Sequence, residues 1–174
     1  MKAYEIRSGF VIDGLALADR PQPAAGPGEV LLKIKACSLN YRDLMVVKGI
    51  YNPRMSLPRI PCSDGAGEVL AVGAGVSRVK VGQRVAGLFM PDWIEGGLTE
   101  AKGKQALGGS VDGLLSEYAV LPERAVVPVP EYLSDEEAAT LPCAGVTAWN
   151  ARMESGKVQP GETVLLLGTG GVSL

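Results

Sequence analysis

At 174 residues, 21% of them charged and with a formal net charge of −2, the chain is long enough for one domain with a substantial core and somewhat short for two. Its lysines and arginines are dispersed rather than gathered into a basic stripe, so no nucleic-acid partner is implied, and its apolar runs fall far below the roughly 18 to 20 residues that span a bilayer. The N-terminus has no apolar signal region and the three cysteines are odd in number and widely spaced, which predicts a soluble cytoplasmic protein with reduced thiols.

Residues 28–35 alternate, with Val30, Leu32 and Ile34 toward one side and Leu31, Lys33 and Lys35 toward the other. Further strands are expected at 67–72, 84–87, 114–120 and 125–129, between Pro- and Gly-rich loops at 21–28, 53–61 and 96–109. Short β segments punctuated in this way predict a small barrel or sandwich. The loop at 96–109 is polar and weakly patterned, as expected of a mobile surface loop. No internal repeat or coiled-coil period is present.

Composition shifts after Pro130. Ser134-Asp-Glu-Glu137 has the form of a capping box, so a helix is expected to start there. Leu141-Pro142 should interrupt it, because a residue before proline is pushed out of the α region. A second helix is expected over 144–155, with Val146, Trp149 and Met153 on one face and Gly156 as a left-handed stop. Gln159-Pro-Gly-Glu162 then turns the chain into the apolar run 164–167, read as a buried parallel strand. The glycine-rich turn that follows, Gly168, Thr169, Gly170, Gly171 and Val172, would let backbone amides approach a pyrophosphate. Ser173 stands where the third glycine of the usual fingerprint falls; the alternative is a glycine-rich loop after any core strand.

Four blocks together carry a more specific signal. Asn40-Tyr-Arg-Asp43, Ile60-Pro-Cys-Ser-Asp-Gly-Ala-Gly-Glu-Val-Leu-Ala-Val-Gly73 with Val79-Lys-Val-Gly-Gln-Arg-Val85, Leu141-Pro-Cys-Ala-Gly-Val-Thr-Ala-Trp149 and Gly168-Thr-Gly-Gly171 occur in order. In these blocks the chain resembles the medium-chain dehydrogenase/reductases. That resemblance implies a mainly β GroES-like barrel with short helices over 1–130, followed over 131–174 by linker helices and the truncated start of an α/β Rossmann domain. Most of the cofactor-binding half is not in this sequence, so little activity is expected from these 174 residues alone.

The positions matching the catalytic zinc ligands of that family hold Asn40, Ser63 and Cys143, and the chain has no histidine. One thiolate cannot replace the three protein ligands such a site uses, so no metal is expected, and Cys143 reads as a small core residue. The four-cysteine structural lobe is also missing, with the 96–109 loop in its place. Without a Lewis acid, an acceptor that takes hydride more easily is favoured: an enone, an enal or a quinone. The chain is similar to the zinc-lacking quinone-reductase and enoyl-reductase branches, which implies NADP or NAD as cofactor, with NADP favoured by resemblance only, and a small-molecule substrate. Relatives pair through the dinucleotide domain, so a homodimer is one expected assembly.

Among site residues, Tyr51 carries a phenol able to donate to a developing enolate and matches the tyrosine of a G-x-Y segment; the alternative is a loop tyrosine stacked on Pro53. Asn40 can bind a carboxamide or a substrate oxygen, or simply form a turn. Asp43 is read as organising the site, and Ser63 and Asp64 as structural. Arg42 is read as a cofactor phosphate contact, or else as the ion-pair partner of Asp43. The resemblance places Tyr41 and Thr147 near the cofactor, and Gly168, Thr169, Gly170, Gly171 and Val172 on its phosphates. Two other readings stay open: a GroES-like binding or assembly module without catalysis, and an alcohol dehydrogenase-like enzyme.

Overall fold

The computed structural model describes residues 1–173. Among the described residues, seven strands form two antiparallel sheets. The first is a hairpin of β1 (Lys2–Ile6) and β2 (Leu15–Asp19), neither of which was expected from the sequence. β1 is marked only by Ala3 and Ile6, both buried, too short a pattern to stand out before its partner is known.

The second sheet uses β3 (Glu29–Ser38), β4 (Asp64–Val72), β5 (Arg84–Gly87), β6 (Tyr118–Pro122) and β7 (Val126–Pro128) in the spatial order β6-β3-β4-β5-β7. The expected strand at 84–87 is observed as such. The expected strand at 114–120 is displaced to 118–122, because residues 113–115 instead hydrogen-bond to the segment 60–62: the Gly113 amide donates to the Ile60 carbonyl at 2.8 Å and the Leu114 amide to the Cys62 carbonyl at 2.9 Å.

β3 is the longest strand and pairs with β4 on one side and β6 on the other. Val30 and Leu32 are buried as their alternation predicts. Leu31, expected on the opposite, solvated side, is buried as well. Register shifts at Leu31/Leu32 and Ile34/Ala36 break the strict period of two, as bulges do. The main core joins Val30 and Leu32 to Val69, Val85, Leu107, Leu114, Leu121 and Val126.

Two smaller clusters place the helices. α1 (Tyr41–Val47) buries Val46 and Val47 against Ile6 and Met55, which pins its start beside the end of β3. α3 (Asp135–Ala139) follows α2 (Glu100–Gly103) in the chain and seats Ala138 and Ala139 against Ala66 and Ala86, where only methyl groups separate helix from sheet. The predicted capping box is present: the Glu137 amide donates to Ser134 Oγ at 3.1 Å and the Ser134 amide to Glu137 Oε2 at 2.8 Å. Ser134→Ala is expected to destabilise this helix by about 1 kcal/mol, measurable as faster amide exchange at Ala138 and Ala139.

Beyond α3 the chain departs from three expectations. Pro142 does not interrupt the helical path: Thr140 is itself in the helical region, and π-helical turns at Leu141–Gly145 and Asn150–Ser155 flank α4 (Val146–Trp149). Pro142 falls in the first turn, where its missing amide hydrogen has no intrahelical partner to lose. Gly156 has φ −77°, so it is no left-handed stop; Lys157 takes that conformation instead, at φ 50°. The run 164–167 forms no ladder, and all four of its apolar side chains are exposed. A parallel strand exists only when neighbours accept and donate its backbone hydrogen bonds, and no described strand runs beside this one. Val146, Trp149 and Met153 are likewise exposed. Among the described residues, no helix is long and apolar enough to cross a membrane.

Candidate active site

The end of β3, the start of α1 and the start of β4 meet at one point, and a set of buried polar side chains collects there. Asn40 precedes α1 in an extended conformation, and its amide hydrogen is taken by Asp43 Oδ2 at 2.8 Å while the Asp43 amide donates to the Asn40 carbonyl at 2.9 Å. Asp43 closes the first turn of its own helix in this way, which also suits a negative charge near a helix start.

Asp64, fully buried at the head of β4, is the hub. One oxygen, Oδ2, accepts from Asn40 Nδ2 at 2.9 Å and from the Cys143 amide at 3.2 Å; the other, Oδ1, accepts from the Ser63 hydroxyl at 3.0 Å. A single carboxylate thus joins the barrel, the start of α1 and the helical segment after α3. Sequence reasoning treated Asp64 as structural and missed this junction; its position directly after Ser63 in the zinc-ligand block was the available signal.

Burial dominates the electrostatics. It raises the Asp64 carboxyl above the ordinary value of 3.8; the hydrogen bonds from Asn40 and Ser63 oppose it, and the nearby Asp43 charge reinforces it. Burial raises Asp43 as well, against its backbone hydrogen bonds and the Arg42 charge. The thiols follow the same rule. Cys37 is pushed up to about 12 and Cys62 and Cys143 are also raised, so all three stay protonated near neutral pH. Cys37 uses its S–H to donate to the Leu114 carbonyl at 2.9 Å.

Tyr51 lies on the loop after α1 and is 48% exposed. The ring meets the Arg42 guanidinium, whose carbon stands 4.7 Å from the ring centroid. Arg42 does not reach outward as a phosphate contact would. Its side chain is only 10% exposed, Nη1 donates to the Leu107 carbonyl at 2.9 Å, and the expected pairing with Asp43 is a long one, at 3.8 Å. The positive charge is turned inward by Tyr51 and Phe89, and no residue spacing in the sequence marks Phe89 or the Leu107 carbonyl as partners.

The structure therefore brings together Asn40, Arg42, Asp43 and Tyr51. Tyr41, at 76% exposure, stands on the surface at the start of α1, and Thr147 is exposed on α4. The turn from Gly168 through Thr169, Gly170 and Gly171 to Val172 is exposed too, with Gly168 at φ 85°. Nothing lies within 4 Å of a Cβ built at Gly168, Gly170 or Gly171, so the backbone there is open to a ligand.

Residues 26–131 match the alcohol dehydrogenase GroES-like domain. The chain belongs to the medium-chain dehydrogenase/reductase superfamily. Within this superfamily it is 51% identical over 149 residues to a zinc-type alcohol dehydrogenase-like protein of Schizosaccharomyces pombe, a match covering 84% of this chain and 43% of the relative. A solved structure described as an alcohol dehydrogenase from Sinorhizobium meliloti 1021 superposes with a TM-score of 0.91 at 41% identity, covering 99% of this chain and 51% of the other. The quinone oxidoreductase from Coxiella burnetii superposes with a TM-score of 0.73 at 27% identity, covering 92% and 45%. The chain spans about half the length of the relatives it matches.

Proposed function

We propose that this chain is the catalytic half of an oxidoreductase that passes hydride from a reduced nicotinamide dinucleotide to a conjugated carbonyl or a quinone without zinc. The observation that carries this reading is the state of the three positions where the zinc enzymes of the superfamily hold their metal. Asn40 points its amide nitrogen at Asp64, the Ser63 hydroxyl donates to Asp64, and the Cys143 backbone amide joins the same carboxylate. Two of the three positions are occupied by groups acting as hydrogen-bond donors, the opposite of what a cation needs. Among the described residues, no three histidine, cysteine, aspartate or glutamate groups converge on one point. Zinc does not fit this donor set.

A dinucleotide fits better. The open backbone at Gly168, Gly170 and Gly171 suits close approach of phosphate oxygens, with Thr169 and Val172 in the same turn and Tyr41 and Thr147 presenting exposed side chains to the cofactor. The bound cofactor supplies the hydride; NADPH is proposed ahead of NADH on resemblance alone. The chain's own residues then handle the acceptor. Tyr51 donates a hydrogen bond, and then a proton, to the oxygen on which negative charge develops. Asn40, with one amide hydrogen fixed by Asp64, uses its second amide hydrogen to orient a carboxamide or a substrate oxygen. Asp43 holds the Asn40 backbone in place rather than acting as a base.

The test is a titration with NADPH followed by nicotinamide fluorescence, elemental analysis of the purified protein, and turnover of an enone and a quinone by this chain joined to a complete dinucleotide-binding domain. Saturable binding, no stoichiometric zinc, and a fall in kcat of about 100-fold or more in Tyr51→Phe at unchanged NADPH affinity are the expected results. One tightly held zinc per chain, or a Tyr51→Phe enzyme as fast as the parent, would overturn the reading. No binding of NADPH by the joined protein would favour the non-enzymatic module instead.

A further inference from the structure

The Arg42 side chain is the least economical feature of the site. Its guanidinium carbon lies 4.7 Å from the Tyr51 ring centroid and 4.5 Å from that of Phe89. Nη1 reaches the Leu107 carbonyl at 2.9 Å, while Nε and Nη2 are buried with no hydrogen-bond partner. A Cβ at Gly109 would stand 2.6 Å from Nη2, so the 105–113 loop closes directly over the cation. Burying a guanidinium with two idle nitrogens opposes folding, and its 3.8 Å pairing with Asp43, made through Nη1, supplies no hydrogen bond to either of them. What the cation supplies is a flat, charged surface against which an aromatic ring is held in one orientation.

We propose that Arg42 is the positioning residue for Tyr51, carrying the placement of the 105–113 loop, through the Leu107 carbonyl and the stacked guanidinium, to the phenol. The inference rests on the reading of Tyr51 as the donor to the acceptor oxygen. It assigns no contact between Arg42 and substrate or cofactor. It also makes the sequence of the 105–113 loop, and not only the residues beside Tyr51, a determinant of how well the phenol meets its acceptor. Lysine at position 42 keeps the charge but has no plane to lay on a ring and no fork to reach the carbonyl while stacked.

The experiment is a double-mutant cycle in this chain joined to a complete dinucleotide-binding domain, combining Arg42→Lys with Tyr51→Phe, with ring-labelled tyrosine NMR on the same proteins. Arg42→Lys is expected to lower kcat about 10-fold with the KM for NADPH unchanged, and to cause no further loss in the Tyr51→Phe background. The Tyr51 ring resonance, assigned by its disappearance in Tyr51→Phe, should move in Arg42→Lys while those of Tyr4, Tyr118 and Tyr132 hold. Phe89→Leu, which frees one face of the guanidinium without removing charge, should move it in part and serves if Arg42→Lys fails to fold. An equal slowing by Arg42→Lys in both backgrounds, or a Tyr51 resonance that stays in place, overturns the inference. If Tyr51→Phe is as fast as the parent, the proposed catalytic role of Tyr51 fails, whereas the ring resonance still decides whether Arg42 places that side chain.

Discussion

Replacing Asp64 by alanine is expected to lower the stability of the barrel by about 3 kcal/mol or more, whereas Asp64→Asn should be close to neutral at pH 7. The alanine variant strands the Asn40 amide, the Ser63 hydroxyl and the Cys143 amide, all donors converging on one buried carboxylate, at about 1–3 kcal/mol for each group left fully buried and unpaired. Asparagine has the same shape. Its oxygen, placed where Oδ2 now stands, can accept from Asn40 and from Cys143, and its NH2 can donate to Ser63 Oγ, which is an acceptor as well as a donor.

The charge itself opposes folding, since burial raises the native Asp64 value above the ordinary 3.8. Between those two values the folded state binds more protons than the unfolded one, so stability falls as pH rises through that window. Asp64→Asn should remove this component of the pH dependence, leaving the component of the same sign from Asp43. Urea unfolding followed across pH measures both effects; a 3 kcal/mol loss moves the midpoint by about 1–3 M. Asparagine proving as damaging as alanine would mean that the charge, not the acceptor geometry, holds the junction together.

Gly113→Ala is expected to be at least as disruptive. A methyl group at Gly113 would be driven into the carbonyl oxygens of Pro61 and Cys62, both main-chain atoms of the segment that leads into Ser63 and Asp64. Neither side can yield easily. The Gly113 amide and the Leu114 amide tie the two segments together, and Cys62 is buried in a left-handed conformation, at φ 69°, that leaves the backbone little freedom. A loss of about 3 kcal/mol or more is expected, together with displacement of Asp64 and hence of Asn40. Gly75→Ala is the control: its φ is 82° but nothing lies within 4 Å of the added methyl, so about 1–2 kcal/mol of backbone strain is all it should show. Equal losses in the two variants would indicate that contact with the 61–62 carbonyls is relieved by a shift of the chain.

How far the fold was legible follows the range of the interactions. The strand at 84–87, the alternation at Val30 and Leu32 and the capping box at Ser134 and Glu137 are written in residues within a few positions of each other, and each is found in the structure. The β1–β2 hairpin, the burial of Leu31 and the displaced β6 depend on which strand lies alongside, and were misread or missed. The run 164–167 is the sharpest case. Its four apolar residues have the composition of a core strand, and yet they form no ladder where no neighbour pairs with them.

At the site the same division applies. Motif order pointed from the sequence to a superfamily, and its resemblance singled out positions 40 and 63, because side-chain chemistry at matched positions needs no coordinates to be recognised. Only folding revealed that Asp64 gathers the donors at those positions, that Arg42 faces inward onto Tyr51 and Phe89, and that a glycine 50 residues further along closes the segment before Ser63. Those contacts join residues far apart in the chain, several through main-chain carbonyls and amides that every residue type carries, so amino-acid identity could not have announced them.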